Sequence, residues 1–113
     1  MAIPELEQAR VTRALRGFCD KVPLETRDQL IHDFRILVSD IELFERRPHY
    51  QDRERYVEHV VAKFRYTAAR TSWTLFWADR NGRWHRYENF IDRREFLDLL
   101  REVERDPTGI FWG

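Results

Sequence analysis

The residues whose types and spacing could do chemistry lie between residues 63 and 87, where basic and aromatic side chains alternate. On one face of a β-sheet, aromatic rings can stack nucleic-acid bases while lysine and arginine side chains pair with phosphates. The side chains that would form such a face are Lys63, Arg65, Phe76, Trp84 and Arg86. One candidate function is therefore the binding of single-stranded nucleic acid or of a nucleotide.

The charge balance of the chain favours a different use of this face. Twenty basic and twenty acidic side chains give a net charge of zero, whereas a protein that binds polyanions usually carries a basic excess. Arginine side chains also pack along aromatic rings as ordinary surface structure. We therefore expect a non-enzymatic interaction or self-associating module, with a homodimer as one form, and we keep nucleic acid as the alternative partner.

A third candidate function is RNA cleavage by a small toxin-like ribonuclease. Such enzymes hold RNA on a curved antiparallel sheet and move protons with arginine, lysine, tyrosine and histidine side chains. The residues that could take these roles are Lys63, Arg65, His85, Arg86 and Tyr87. Those toxins end in strands, whereas this chain ends in a helix signal and an apolar tail. We therefore assign no catalytic residue and favour a binding module over an enzyme.

The histidines and the single cysteine indicate no metal or cofactor site. None of the four histidines has a recognised ligand spacing with another histidine or with Cys19. His49 and His59 could approach Asp52 only if the chain between them folded back. Cys19 lies on the apolar stripe of a predicted helix, which indicates a buried side chain rather than a reactive thiol. A lone cysteine also fits a reducing cytoplasm.

The N-terminal residues predict an amphipathic helix from about Glu5 to Lys21. Val11, Leu15 and Phe18 recur at three- and four-residue steps and would form one apolar stripe. Pro23 ends this helix, because the residue before a proline disfavours the helical conformation.

Residues 30–46 predict a β-hairpin, because apolar side chains alternate along two short segments. The alternating residues are Phe34, Ile36 and Val38, followed by Ile41 and Leu43. We expect the turn at Ser39-Asp40, which would place Val38 opposite Ile41. The polar residues 46–58 that follow predict a long loop with one helical turn near Asp52–Tyr56.

A second hairpin is predicted from strands at residues 60–66 and 73–78 and from the segment 83–87. The turn between the last two contains Asp79 at its first position and Gly82 at its fourth, which is typical of a three-residue hairpin loop. Trp77 would then lie opposite His85. If the turn were instead the two-residue Asn81-Gly82 type, the segment 83–87 would turn its other face inward, so its facing stays open.

The C-terminal residues predict a second helix, with Asp92 as its N-cap and Glu95 completing a capping box. Ile91 and Phe96 would form a hydrophobic staple across this start. The apolar tail of residues 110–113 is expected to fold back onto the body of the protein, because a single tryptophan buries about 150–250 Å².

These elements predict an α+β fold in one domain that spans residues 1–113. We expect a four-stranded antiparallel sheet of two hairpins, with the N-terminal and C-terminal helices packed on one face. The opposite face would mix rings and charges: Arg35, Leu37, Glu42, Phe44, Lys63, Arg65, Thr74, Phe76, Trp84 and Arg86. It could be covered by the tail or the long loop, packed against a second copy, or left for a ligand.

Several segments together resemble a family of small bacterial proteins of unknown function. The segments are FC at residues 18–19, ERRP at 45–48, AKFRY at 62–66, WxLxWxDRNGxWHxY at 73–87, DP at 106–107 and IFWG at 110–113. The resemblance covers nearly the whole chain and implies a single-domain bacterial protein, without an activity, ligand or catalytic residue. The chain contains neither a signal-peptide pattern nor an apolar run of membrane-spanning length, so we expect a cytoplasmic protein with no membrane partner.

Overall fold

Five antiparallel strands follow one another in sequence order and form a single meandering sheet in the computed structural model, which describes residues 2–88, 90 and 92–112. The strands are β1 (Ile31–Leu37), β2 (Asp40–Pro48), β3 (Tyr56–Thr67), β4 (Ser72–Ala78) and β5 (Trp84–Arg86), and the helices are α1 (Glu5–Cys19) and α2 (Phe96–Arg105). The predicted α+β class and antiparallel sheet are confirmed. The predicted number of four strands is wrong, because the short segment Trp84–Arg86 pairs with β4 as a fifth strand.

Both helices pack against the side of the sheet that carries Trp73. The indole Nε1 of Trp73 donates a hydrogen bond to Glu7 of α1 at 3.1 Å, and its ring meets Phe96 of α2 edge-on at a centroid distance of 5.0 Å. We call this side the inner face and the opposite side the outer face. The fully buried side chains of the core include Val11, Leu15, Ile41, Leu43, Phe64, Trp73, Leu99 and Val103.

The turn between β1 and β2 lies one residue earlier than predicted. Leu37 pairs with Asp40, and Ile36 pairs with Ile41, so the turn residues are Val38 and Ser39. The expected pairing of Val38 with Ile41 is therefore wrong, and Val38 is 72% exposed. Ile41 pairs with Ile36 instead of Val38, so the register differs from the prediction by two residues. Because side chains alternate along a strand, a shift of two residues leaves the predicted inner-face side chains of both strands on the inner face.

Both ends of the predicted long loop at residues 46–58 are strand. β2 continues to Pro48 and β3 begins at Tyr56, which leaves a connection of residues 49–55. Where one helical turn was expected, this connection has a single tight turn, in which the N–H of Arg55 donates to the carbonyl of Asp52 at 3.0 Å. We call residues 46–58 the arm. It projects as a two-stranded ribbon, because β1 pairs with β2 no further than Arg46 and β4 pairs with β3 no further than Ala62. Backbone pairing between β2 and β3 holds this ribbon together. The sequence did not predict it, because residues 46–58 are too polar to show the alternating pattern of a strand.

The β4–β5 hairpin has the three-residue loop that the sequence predicts. Asp79 and Arg83 close the loop through a 2.9 Å backbone hydrogen bond, and Gly82 adopts a positive φ of 78°. Trp77 lies opposite His85, so the alternative two-residue turn is excluded. Since side chains alternate along a strand, Trp84 and Arg86 lie on the outer face and His85 on the inner face.

Helix α2 begins at Phe96 rather than at the predicted cap. The N-cap position is Glu95, which makes no side-chain capping hydrogen bond, so the predicted N-cap at Asp92 is wrong. Two backbone hydrogen bonds between Arg93 and Trp73, of 2.6 and 3.0 Å, hold this segment extended beside β4 and delay the helix. The predicted staple includes Ile91, which lies outside the described residues.

The C-terminal tail folds back on the inner face. The indole of Trp112 donates a hydrogen bond to the carbonyl of Val103 at 2.9 Å, and Phe111 packs on Tyr87 at 5.1 Å. The carboxylate of Asp106 accepts the backbone N–H groups of both tail residues at 3.1 and 3.0 Å. The tail is therefore not a cover for the outer face. Neither of the helices in the described residues has the length and apolar character needed to cross a bilayer.

Candidate functional site

One row of outer-face side chains crosses all five strands. From β1 to β5 its members are Arg35, Glu42, Lys63, Phe76 and Arg86. A second row beside it runs from Leu37 through Asp40 and Arg65 to Thr74. The meander puts these residues side by side because each strand pairs with its neighbour in register, about 4.8 Å away.

Lys63 lies at the centre of this face over two aromatic rings. Its Nζ is 4.9 Å from the ring centroid of Trp84 and 5.4 Å from that of Phe76. No carboxylate of the described residues lies within ion-pair distance of it. Burial lowers the pKa of Lys63 from its ordinary value, and the nearby charge of Asp40 opposes this shift. The ammonium group of Lys63 therefore lies against two rings, and no described residue of its own chain supplies a counter-ion.

The two outer-face arginines of the predicted site do have counter-ions. Arg65 donates to both carboxylate oxygens of Asp40, at 2.9 and 3.2 Å, and this hydrogen bonding raises the pKa of Arg65. Arg86 donates to Asp92 at 2.8 Å, and the same carboxylate lies 3.4 Å from Arg70. These guanidinium groups are therefore neutralised locally, which weakens their attraction for phosphates.

The β1–β2 half of the outer face is a network of alternating charges around Phe44. The guanidinium of Arg35 lies 4.6 Å from the ring centroid of Phe44, and that of Arg46 lies 5.5 Å away. Arg35 donates to Glu42 at 2.8 Å and also pairs with Glu58. Hydrogen bonds to these two carboxylates, Glu58 first, raise the pKa of Arg35. The guanidinium group of Arg35 is therefore already paired with a carboxylate on each side, Glu42 and Glu58.

The structure brings the five predicted binding residues together on the outer face. The toxin-like ribonuclease set is divided, because His85 and Tyr87 lie on the inner face while Lys63, Arg65 and Arg86 lie on the outer face. The acidic partners Asp40, Glu42, Glu58 and Asp92 were not predicted as part of the site. For Asp40 and Glu42 the signal was the acidic residues at alternate positions of β2, which becomes informative only once the strand register is known, whereas Glu58 on β3 and Asp92 before α2 gave no such signal.

On the inner side of the β4–β5 hairpin, His85 and Asp79 form a pair beside a cleft. The Nε2 of His85 lies 2.8 Å from Oδ2 of Asp79, and its ring stacks on Trp77 at 4.6 Å. The hydrogen bond from His85, together with the backbone N–H groups of Arg83 and Asn81, lowers the pKa of Asp79 to about 2. The other oxygen of Asp79 accepts both of those N–H groups, so the carboxylate closes the turn and also orients the imidazole.

The described residues contain no group of three histidine, cysteine or acidic side chains arranged to hold a metal ion. The Nδ1 atom of His49 accepts the backbone N–H of Gln51 at 3.1 Å, and its ring stacks on Tyr50. Burial raises the pKa of the Cys19 thiol to about 12. A thiol with this pKa is a poor nucleophile and a poor metal ligand at neutral pH.

The geometry defines a small α+β domain whose sheet is sealed by helices on one face and left uncovered by any described element on the other. The chain belongs to a family of domains of unknown function, DUF3024, whose model matches residues 3–113. No curated protein and no solved structure matches the chain significantly.

Proposed function

We propose that this chain is a non-enzymatic interaction module whose outer face packs against a second copy of the same chain. The observation that carries the proposal is Lys63, a cation over Trp84 and Phe76 that lacks a carboxylate among the described residues of its own chain. A carboxylate from a second copy would supply the missing counter-ion while covering both rings. Aromatic rings are typical of the centre of a protein interface, and the half-buried Lys63 beside them would there need a carboxylate of the partner.

The charges of the outer face are arranged to complement themselves. The β1–β2 half carries three carboxylates against two guanidinium groups, from Asp33, Asp40, Glu42, Arg35 and Arg46. The other half carries the ammonium of Lys63 and the guanidinium groups of Arg65 and Arg86, of which Arg86 is offset by Asp92, together with the rings of Phe76 and Trp84. A two-fold axis parallel to the strands and between β2 and β3 would lay Glu42 of one copy over Lys63 of the other, as an isologous dimer requires.

The size of the face is sufficient for a modest dimer. The four strands β1 to β4, spaced about 4.8 Å apart and roughly nine residues long, cover about 570 Å². Two copies would then bury about 1,100 Å² in total, which lies just above the roughly 1,000 Å² expected of a specific interface. We therefore expect a dimer in the micromolar range, since area alone does not give high affinity.

Single-stranded nucleic acid remains the second candidate for this face, because Lys63 and the two rings could stack a base and bind its phosphate. The carboxylates of Asp40 and Asp92 disfavour it, since each already holds an arginine that a phosphate would need. Counterion release makes such binding fall steeply with salt, which separates the two candidates experimentally.

Sedimentation equilibrium of the native chain and of the variant Lys63→Glu tests the proposal. We expect the native chain to dimerise and the variant to dimerise at least about tenfold more weakly, because it places a carboxylate where the second copy also presents carboxylates. Arg80→Glu is the matched control, since it makes the same charge change at an exposed position of the β4–β5 loop. It should sediment as the native chain does.

A native chain that stays monomeric up to millimolar concentration would contradict the proposal. If that monomer also bound a thymidine oligonucleotide at low salt and lost this binding in Lys63→Glu, the nucleic-acid candidate would replace it.

We further propose that residues 1–113 act as one domain of a bacterial protein in the cytoplasm. The bacterial origin rests on the resemblance described above. The cytoplasmic location is supported by the buried, unpaired Cys19.

A further inference from the structure

The chain contains two lysines, Lys21 and Lys63, whose surroundings differ in their carboxylates. Both ammonium groups lie over aromatic rings. The Nζ of Lys21 is 5.9 Å from the ring centroid of Phe18, and that of Lys63 is 4.9 Å from the nearer of its two rings, Trp84. Lys21 also forms an ion pair with Glu104, whereas Lys63 forms none with any described residue. One chain therefore contains an ion-paired lysine and a second, ring-bound lysine that lacks such a pair.

The carboxylates of β2 that act on Lys63 are both held by arginines. Asp40 accepts from Arg65 with both of its oxygens, at 2.9 and 3.2 Å. Glu42 is the direct cross-strand neighbour of Lys63, yet its carboxylate accepts from Arg35 at 2.8 Å. These hydrogen bonds explain why a lysine with two acidic residues on the adjacent strand has no ion pair with either of them.

The groups around Lys63 also decide how readily its ammonium group loses a proton. Burial lowers the pKa of Lys63 from its ordinary value, and the charge of Arg65 lowers it further, while the charges of Asp40 and Glu42 oppose the shift. The two rings attract a cation but also keep water away from it. Lys63 is therefore the neutral amine more often than an ordinary lysine, and the neutral amine is the nucleophilic form.

We propose that Lys63 is a modification site, at which the side-chain amine is acylated by an acyl thioester. The nitrogen forms a bond to the acyl carbon, and the carbon–sulfur bond breaks. The thiolate leaves with the electron pair of that bond, and the proton of the nitrogen passes to solvent. The step involves no oxidation or reduction. It concerns the single chain and does not rest on dimerisation of the outer face.

The acylated side chain would be a neutral amide over the same two rings. An unpaired charge beside apolar groups loses favourable hydration, whereas an amide has less hydration to lose. Acylation would remove the cation that lies over Trp84 and Phe76, while the guanidinium groups of Arg65 and Arg86 stay bound to carboxylates. The modification would therefore change this part of the outer face from a cationic into a neutral surface.

The test is a limited reaction of the full chain with acetyl-coenzyme A at mildly alkaline pH, followed by peptide mass spectrometry. Dilute solution keeps Lys63 uncovered whether or not the outer face binds a second copy. We expect Lys63 to be acetylated at least about threefold faster than Lys21, whose ammonium group must first leave its carboxylate. Accessibility alone predicts the opposite order, because Lys21 is exposed and Lys63 is half-buried. Equal rates, or a faster reaction at Lys21, would overturn the proposal.

Two variants test whether the surrounding charges control the reaction. Asp40→Asn removes a charge that favours the ammonium form of Lys63, so acetylation of Lys63 should become faster. Glu104→Gln is the matched control, because it removes the carboxylate bound to Lys21, and it should leave the rate at Lys63 unchanged. No acceleration of Lys63 in folded Asp40→Asn, or an equal acceleration in Glu104→Gln, would also overturn the proposal. The comparison of the two lysines in the native chain needs no variant, so it decides the question even if Asp40→Asn fails to fold.

Discussion

At the scale of single residues, Thr71 has a backbone conformation that does not suit its type. Its φ of 48° lies in the left-handed region, which costs an ordinary L-residue about 1–2 kcal/mol. Asparagine tolerates this region, so Thr71→Asn should raise the free energy of unfolding by about 1 kcal/mol. Urea denaturation measures this change.

The matched control for this prediction is Thr67→Asn, because Thr67 has an extended backbone with φ of −112°. Asparagine is disfavoured in strands, so this second variant should leave stability unchanged or lower it. A stabilising effect of the same size in both variants would show that relief of left-handed strain is not the cause.

Asp79 should make the stability of the β4–β5 hairpin depend on pH. Its pKa of about 2 lies below the ordinary value of 3.8, so the folded state binds the proton less well than the unfolded state. The stabilisation is therefore complete above about pH 4 and is lost as the pH falls towards 2. Urea unfolding at pH 5 and pH 2.5 should show that the difference in stability between the native chain and Asp79→Asn shrinks at the lower pH. A difference that stays constant would contradict this assignment.

At the scale of elements, the C-terminal tail is held against β1 through His32. The imidazole contacts the rings of Phe18, at 5.8 Å, and Trp112, at 4.8 Å, and these two rings also lie 5.9 Å from each other. Burial lowers the pKa of His32 from its ordinary value of 6.5, the charge and hydrogen bond of Glu45 oppose this shift, and Arg47 adds to it. Since the folded state disfavours the proton, tail packing should weaken as the pH falls below about 6.5.

The variant His32→Phe tests this account of the tail, because it keeps a ring in contact with Phe18 and Trp112 but cannot bind a proton. Between pH 7.5 and pH 5, the free energy of unfolding should fall further in the native chain than in the variant. The indole signal of Trp112 should shift over the same range only in the native chain. Identical pH profiles for the two proteins would remove His32 as the titrating group.

Among the elements, the β4–β5 hairpin was the one whose register the sequence predicted. Gly82 at the fourth turn position selects the loop type, since glycine adopts a φ of 78° without strain. Neither Val38 nor Ser39 of the β1–β2 turn favours one turn type in this way, so the sequence predicts this turn one residue too late. The start of α2 was missed for another reason. The Arg93–Trp73 bridge that delays it joins residues far apart in sequence, which no local pattern reveals.

At the scale of the whole molecule, the chain is longer than a compact domain of its size. Its radius of gyration is 14.4 Å, against about 13 Å expected, and its extents are 46 × 27 × 24 Å. The projecting arm lies outside what the sequence could predict, because residues 46–58 have no alternating apolar pattern and pair through their backbones. The candidate outer face was predicted from alternating rings and cations, with Glu42 as its one predicted carboxylate. Asp40, Glu58 and Asp92 were not predicted, since pairing them with arginines requires the register of the strands.

The central claim is that the outer face is covered by a second copy, and hydroxyl-radical footprinting at two protein concentrations tests it most directly. We predict that Trp84 and Phe76 are oxidised in dilute solution and protected at high concentration. Tyr50, which is 84% exposed at the tip of the arm, should be oxidised equally in both and serves as the internal standard. Equal oxidation of Trp84 and Phe76 at the two concentrations, measured against Tyr50, would contradict the account.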